Sequence, residues 1–277
     1  MTQKQPPILV FDIETIPDVA TGKRLYPELA ELSDDEALSQ LIDLRKAETD
    51  GNPFMPLPLH KIACLSVLWV ANGKMTLKSL SLADHSESEI LQTFFNSIDK
   101  TPSLVSWNGK GFDIPVMLYR ALQHGLSVPK LFQDTGDMKY NNYLNRYHDR
   151  HTDLMVKLAM GGTFQKLDIV ASVCGFAGKQ DIDGYDVVPM VQAGEWDKLT
   201  TYCESDVLNT WLIYLRYLRL AGKMTAPLSE QWQQATHDYL QSLKGDNDDS
   251  LRHQKFLDAW QFIQPNVAET TIDNQNS

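Results

Sequence analysis

The first apolar run, Ile8-Leu9-Val10-Phe11, passes into Asp12-Ile13-Glu14-Thr15, where acidic and apolar positions alternate. An unbroken apolar run of this length predicts a strand buried on both faces at the centre of a sheet. Side chains alternate faces along a strand, so Asp12 and Glu14 point the same way. Further along, Ile62 to Val70 and Met75 to Leu82 read as two strands joined by a tight turn at Ala71-Asn72-Gly73-Lys74. Ser86 with Glu89 has the form of a capping box ahead of Ile90, Leu91, Phe94, Phe95 and Ile98 at helical spacing. Thr101-Pro102 ends that helix, and Ser103 to Trp107 is a short fourth strand. A helix follows from Asp113 through Met117 and Leu122 to a stop at Gly125, with Asp113 placed to cap it and Pro115 in its first turn. A third helix opens at Lys166-Leu167-Asp168, and a long one runs from Asp197 to Ala221 before Gly222. Strand, hairpin, helix, strand, helix is the order of an α/β layer structure with a mixed sheet.

Between these elements the pattern is looser. Residues 18–60 hold no clean strand; Leu38 to Lys46 reads as a short amphipathic helix, and 51–58 as a Pro-rich connector. The stretch is expected to be a long excursion between the first two strands, of the kind that serves as a lid or mobile segment. Residues 133–151 are polar and rich in Asn, Tyr, Arg and His. His148 and His151 lack a third nitrogen or sulfur ligand at useful spacing and are expected to face solvent or substrate. The glycine-punctuated loop 175–184 has neither the GK[ST] ending nor the apolar strand of a nucleotide P-loop. Residues 228–263 look helical with a break at 244–249, and the last ten or so residues are expected to fray.

With 277 residues, 43 % of them hydrophobic, the chain can bury a sizeable core. Its three cysteines are far apart and form no CxxC pair, which argues against a disulfide framework or a zinc knuckle. No apolar stretch resembles a signal peptide or a membrane span, so a cytoplasmic location without membrane attachment is expected. The formal charge of −11 argues against a general nucleic-acid binder held by charge alone. Residues 130–179 nevertheless carry 7 Lys+Arg against 5 Asp+Glu, a locally basic stretch in an acidic chain.

Two carboxylates at the end of a buried strand are costly, because like charge and desolvation both oppose ionisation, and a divalent cation removes that cost. An acidic strand end in solvent is the plainer reading of the octapeptide alone. Asp113 is equally explained as a helix cap, and Tyr202 with Asp206, four apart on one helix face, as a core-edge phenol and a solvated acid. Together, four carboxylates and a phenol at the starts and ends of elements form the donor set of two-metal phosphodiester hydrolysis.

Phe11-Asp12-Ile13-Glu14, Asn108-x-x-x-Phe112-Asp113 and Tyr202-Cys203-Glu204-Ser205-Asp206 resemble, in this order, the three exonuclease motifs of the DEDD superfamily, tyrosine subclass. The chain is most similar to the stand-alone predicted 3′-5′ exonucleases related to the proofreading domain of family B DNA polymerases. His151-Thr152-Asp153-Leu154, Lys166-Leu167-Asp168 and the 178–184 loop resemble that group too. The histidine subclass would carry a His at position 201, where this chain has Thr201. The resemblance implies a ribonuclease H-like fold over 1–225, interrupted by the 18–60 insertion, with 226–277 as a C-terminal helical extension packed on the same domain. It implies two divalent cations, Mg²⁺ or Mn²⁺, with Asp12 bridging both, Glu14 and Asp206 completing one and Asp113 the other. Tyr202 would hydrogen-bond the attacking water. The implied activity is release of nucleoside 5′-monophosphates from single-stranded 3′ ends, DNA being expected ahead of RNA. Asn108 and Phe112 would contact the terminal nucleotides. Arg146 and Arg150, with His148, are candidates for the strand path on charge alone. A catalytically inactive end-binding module and a small-substrate phosphodiesterase are the competing classes.

Overall fold

The computed structural model describes residues 6–145, 147–178, 184–244 and 251–261. The chain opens with β1 (Ile8–Pro17), then makes α1 (Val19–Leu25) and α2 (Asp34–Glu48) before β2 (His60–Ala71) and β3 (Lys74–Ser81). Next come α3 (Glu87–Ile98), β4 (Ser103–Ser106), α4 (Asp113–Gln123), β5 (His151–Asp153), α5 (Leu154–Ala159) and α6 (Leu167–Val173). The chain then runs through α7 (Val187–Ala193), α8 (Trp196–Leu220), α9 (Ala226–Ser242) and α10 (Gln254–Ala259). The strands form one five-stranded sheet in the order β3-β2-β1-β4-β5. β2 lies between β1 and β3 and runs antiparallel to both, whereas β1, β4 and β5 run parallel. A central first strand with a meander on one side and parallel strands on the other is the ribonuclease H-like arrangement expected from the sequence.

The alternation along β1 decides where the chemistry sits. Leu9, Phe11 and Ile13 face a core built with Ile90, Leu91 and Phe94 of α3 and Val116 and Met117 of α4. Val10 faces the other way, into a core with Val207, Leu208, Trp211 and Leu212 of α8. By the same period Asp12 and Glu14 fall on the α8 side, just past the point where that core ends. β1 and β2 shift register between Glu14 and Thr15, so the strand is irregular where the acids lie.

Buried charge ties α4 to the end of β1. The fully buried Arg120 guanidinium forks onto Glu87 and reaches Asp18, while Glu87 also accepts the Ile62 N–H at 2.7 Å. One cation thus joins the exits and starts of β1, β2, α3 and α4. At the other end, α9 packs on α8 and β3: Trp211 Nε1 donates to Thr236 Oγ1 at 2.9 Å, and Leu77 N to Tyr239 Oη at 2.9 Å. Among the described residues no helix is long and apolar enough to cross a membrane.

Several expectations change. The 18–60 excursion is not an open lid: α1 and α2 bury Leu29, Ala37, Leu41, Met55 and Leu59 together, and Ser33 with Glu36 closes a full capping box. Its weak amphipathic pattern hid a small satellite core. α7 and the three-residue β5 have no counterpart in the sequence reading, because neither is long enough to show a period. Asp113 does not cap α4. Phe112 holds the cap position, Asp113 is the first helical residue, and its Oδ1 accepts the Ile13 N–H at 3.2 Å from across the sheet. His151 is not solvated, and His148 is half-buried. His148 Nδ1 accepts the Asn142 N–H, and His151 is buried in β5 against Ser106 Oγ at 2.8 Å. The break at 244–249 lies almost wholly, and the last ten residues wholly, outside the described residues.

Candidate active site

The five residues singled out as catalytic come from three separate elements and converge at the C-terminal end of β1. Glu14 is 8 % exposed and Asp113 2 %, while Asp12, Tyr202 and Asp206 are half-buried. Burial pushes the Asp12 carboxyl well above the usual range, and Asp113, Glu14 and Asp206 push it further. Glu14 is raised in the same way, by burial and then by Asp206 among its neighbours. Asp113 is pushed up to about 7, mainly by burial, although the N–H groups of its own residue and of Ile13 oppose the shift. Asp206 is likewise pushed up to about 7 by burial and by Asp168. This mutual influence is the electrostatic mark of carboxylates sharing one small volume.

Tyr202 lies one helical turn before Asp206 on the same face, and its hydroxyl opposes the rise of that carboxyl. Burial, then the charges of Asp206, Glu14 and Asp12, hold the phenol above its ordinary range. It is therefore a neutral donor at any physiological pH. Among the described residues the Glu14 carboxylate has neither a hydrogen bond nor an ion pair, although it is nine-tenths buried. Burial and the like charge around it favour a proton or a cation at this carboxylate. Ligand atoms of Asp12, Glu14 and Cys203 lie within 4.8 Å of one another; the two carboxylates are hard oxygen donors suited to a hard divalent cation, whereas the Cys203 thiol is a soft one.

Asn108 and Phe112 lie on the turn that delivers Asp113. Asn108 adopts φ +64°, a left-handed conformation that Asn tolerates better than most residues. Phe112 packs edge-on to His60, and both rings meet Phe54, which is 50 % exposed. His60 in turn holds Thr15 Oγ1 at 2.8 Å, joining this aromatic group to the residue after Glu14. Arg150 is not brought to the cluster. It precedes β5 at the starting edge of the parallel strands, and its guanidinium serves the Asn141 and Thr101 carbonyls. Arg146 lies outside the described residues.

Three residues absent from the sequence-derived site belong beside it. Cys203 packs under Asp12, its Sγ donating to the Asp12 carbonyl at 3.5 Å. Asp168 stands near Asp206, and Asp153 stands behind Asp113. The last two fall in the Lys-Leu-Asp and His-Thr-Asp-Leu stretches, so the signal was present but attached to no role. A cavity of about 830 Å³ opens beside Tyr202 and Asp206, walled by Lys166, Asp168, Lys198 and Arg252.

Comparison with known proteins gives the family of the chain. The family described as "Predicted 3′-5′ exonuclease related to the exonuclease domain of PolB" matches residues 52–260, about three quarters of the chain. DNA polymerase 1 of Saccharolobus solfataricus is 25 % identical over 233 residues, covering 77 % of this chain and 26 % of the polymerase. The chain therefore spans about a quarter of the length of that curated relative. Among solved structures, the family B DNA polymerase of Pyrobaculum calidifontis aligns with a TM-score of 0.47 at 17 % identity. That alignment covers 84 % of this chain and 29 % of the polymerase.

Proposed function

Because the chain belongs to the family of predicted 3′-5′ exonucleases related to the exonuclease domain of PolB, we propose that it is a metal-dependent 3′-5′ exonuclease. Its substrate is the 3′ end of a single strand, DNA ahead of RNA, and its product a nucleoside 5′-monophosphate. The observation that carries this reading is the convergence of Asp12, Glu14, Asp113 and Asp206 from β1, α4 and α8 into one buried, mutually repelling set. A module that only gripped strand ends would be weakened by such a set, since it repels phosphate.

Asp12, Glu14 and Asp206 would hold one divalent cation, and Asp12 with Asp113 a second, Mg²⁺ or Mn²⁺. When bound, such a pair lowers the pKa of a water and neutralises charge developing on the phosphate. Tyr202, kept protonated by its surroundings, orients that water through its hydroxyl. The neighbouring Asp206 fixes the phenol's direction. Phe112 and the half-exposed Phe54 offer ring faces to terminal bases, and stacking of this kind is sequence-tolerant. It also supplies affinity that an acidic chain cannot obtain from charge.

Matched end-labelled DNA and RNA strands, digested with Mg²⁺ or Mn²⁺ and with EDTA as control, test the reading. Stepwise shortening from the 3′ end with release of 5′-monophosphates is expected. Asp12→Asn and Asp206→Asn should abolish it while the proteins stay folded, and Tyr202→Phe should slow it about 10²-fold, a general-catalyst-sized loss. Binding without cleavage would favour an end-binding module, and faster turnover of a dinucleotide than of an oligonucleotide a small-substrate phosphodiesterase. Undiminished digestion by both Asp variants would move the chemistry elsewhere.

A further inference from the structure

The His151-Thr152-Asp153-Leu154 stretch has no part in the chemistry above, yet of its three buried polar side chains Asp153 reaches the turn that carries Asn108, Phe112 and Asp113 directly, and His151 supports it through Ser106. Asp153 is 1 % exposed and pairs with Ser106 at the end of β5. Its Oδ1 accepts the Val156 N–H at 3.3 Å, which caps the short α5. Capping needs only one oxygen and one local N–H. Asp153 does more. Oδ1 also accepts the Asn108 N–H at 3.1 Å, and Oδ2 the Lys110 N–H at 2.9 Å, from residues more than forty positions upstream.

His151 acts on the same turn from below. Its Nε2 meets Ser106 Oγ at 2.8 Å, and that hydroxyl lies directly beneath Gly109. A Cβ on Gly109 would stand 2.4 Å from Ser106 Oγ, so only glycine lets the turn settle this low. Above the anchor, Phe112 N and Gly111 N both donate to the Asn108 carbonyl at 2.9 Å, and Ile114 N donates to the Gly109 carbonyl. The left-handed Asn108 is thus held at its own N–H by Asp153, and the Gly111 and Phe112 N–H groups close on its carbonyl. Strained backbone persists only where its surroundings over-determine it.

We propose that Asp153 is a positioning residue that clamps the Asn108–Asp113 turn, setting where the site meets the strand end and how Asp113 is presented to a cation. This rests on the nuclease reading and gives the motif a role in it. Without the clamp, two part-buried N–H groups lose their acceptor and Asn108 is free to leave the left-handed region.

The test compares the full chain with Asp153→Asn, Asp153→Ala and Ser33→Ala. Ser33→Ala removes a helix cap on α2, far from the turn, and serves as a stability control. Asn keeps an oxygen for Asn108 and Val156 but turns an amide donor toward the Lys110 N–H. At temperatures where all are folded, Asp153→Asn should raise KM for a single-stranded end about tenfold, the effect of one unmet, part-buried N–H. It should also weaken Mn²⁺ binding, followed by electron paramagnetic resonance, by a similar factor; Ser33→Ala should change neither. Equal KM and equal Mn²⁺ affinity in Asp153→Asn and Ser33→Ala would overturn the proposal. So would rapid hydrogen exchange at the Asn108 and Lys110 amides of the unaltered protein, a measurement that does not depend on any variant folding. An unaltered protein that binds no Mn²⁺ and releases no nucleotide would instead remove the nuclease reading itself.

Discussion

Asp113 and Asp206 hold their protons to about pH 7, against 3.8 for an unburied aspartate. Between those limits the folded protein binds more protons than the unfolded chain, so raising the pH costs stability, and the full cost is present above about 7. A cation bound among these groups stabilises only the folded state and replaces the proton. The metal-free protein is therefore expected to melt several degrees lower at pH 8 than at pH 6. Mn²⁺ at pH 8 should restore the loss, as scanning calorimetry with and without EDTA would register. A melting temperature flat across that range in EDTA would mean that the carboxylates are not buried together. The same electrostatics explains why Tyr202 stays neutral and why Cys203, wholly buried beneath Asp12, is kept a thiol by burial, Cys64 and the nearby acids.

At the scale of elements, α8 carries two opposite duties on one turn. Tyr202 and Asp206 face the site, while Glu204 between them points to the far side and is 4 % exposed. Burial alone would raise Glu204, but His253, Arg252 and Ser79 bond to it and hold it down to about 2. Arg252 Nε reaches it at 2.8 Å and Ser79 Oγ at 2.7 Å, so the segment before α10 and the strand β3 meet on one carboxylate. A depressed carboxyl contributes stability above its unfolded value of 4.5 and loses it as the pH falls toward 2. Glu204→Gln should loosen the 251–261 segment by about 1–3 kcal/mol, the cost of a charged hydrogen bond. Limited proteolysis there should be faster in the variant, and faster in the unaltered protein once the pH drops below 4.5. Unaltered cleavage of Glu204→Gln would show that Phe256 and Trp260 hold the segment alone.

Over the whole molecule, a formal charge of −11 must be reconciled with a polyanionic substrate. Each phosphate neutralised by a side chain releases counterions, with a salt slope of about 0.7 per contact on single strands. A site built on cation-bridged carboxylates and ring stacking engages few phosphates through Lys or Arg. The logarithm of KM should therefore rise with the logarithm of salt at a slope below about 2. A slope of about 4 or more would reveal a basic track along the strand path that the acidic surface conceals.

What the sequence determined by itself was local and periodic. The apolar run through Ile8–Phe11 made β1 central, its period of two put Asp12 and Glu14 on one face, and helical spacing put Tyr202 and Asp206 on another. Hairpin and capping signals at Asn72-Gly73 and Ser86-Glu89 gave the neighbouring elements nearly to the residue. Only the tertiary structure decided the rest, because those features depend on partners far away along the chain. It turned Asp113 from a cap into an acceptor for Ile13, closed residues 18–60 into a satellite core, and withdrew Arg150 to the far edge of the sheet. It also gave Asp153 two donors from a turn 43 and 45 residues upstream. Periodicity is written in neighbours three or four residues apart; a long-range hydrogen bond leaves no such mark.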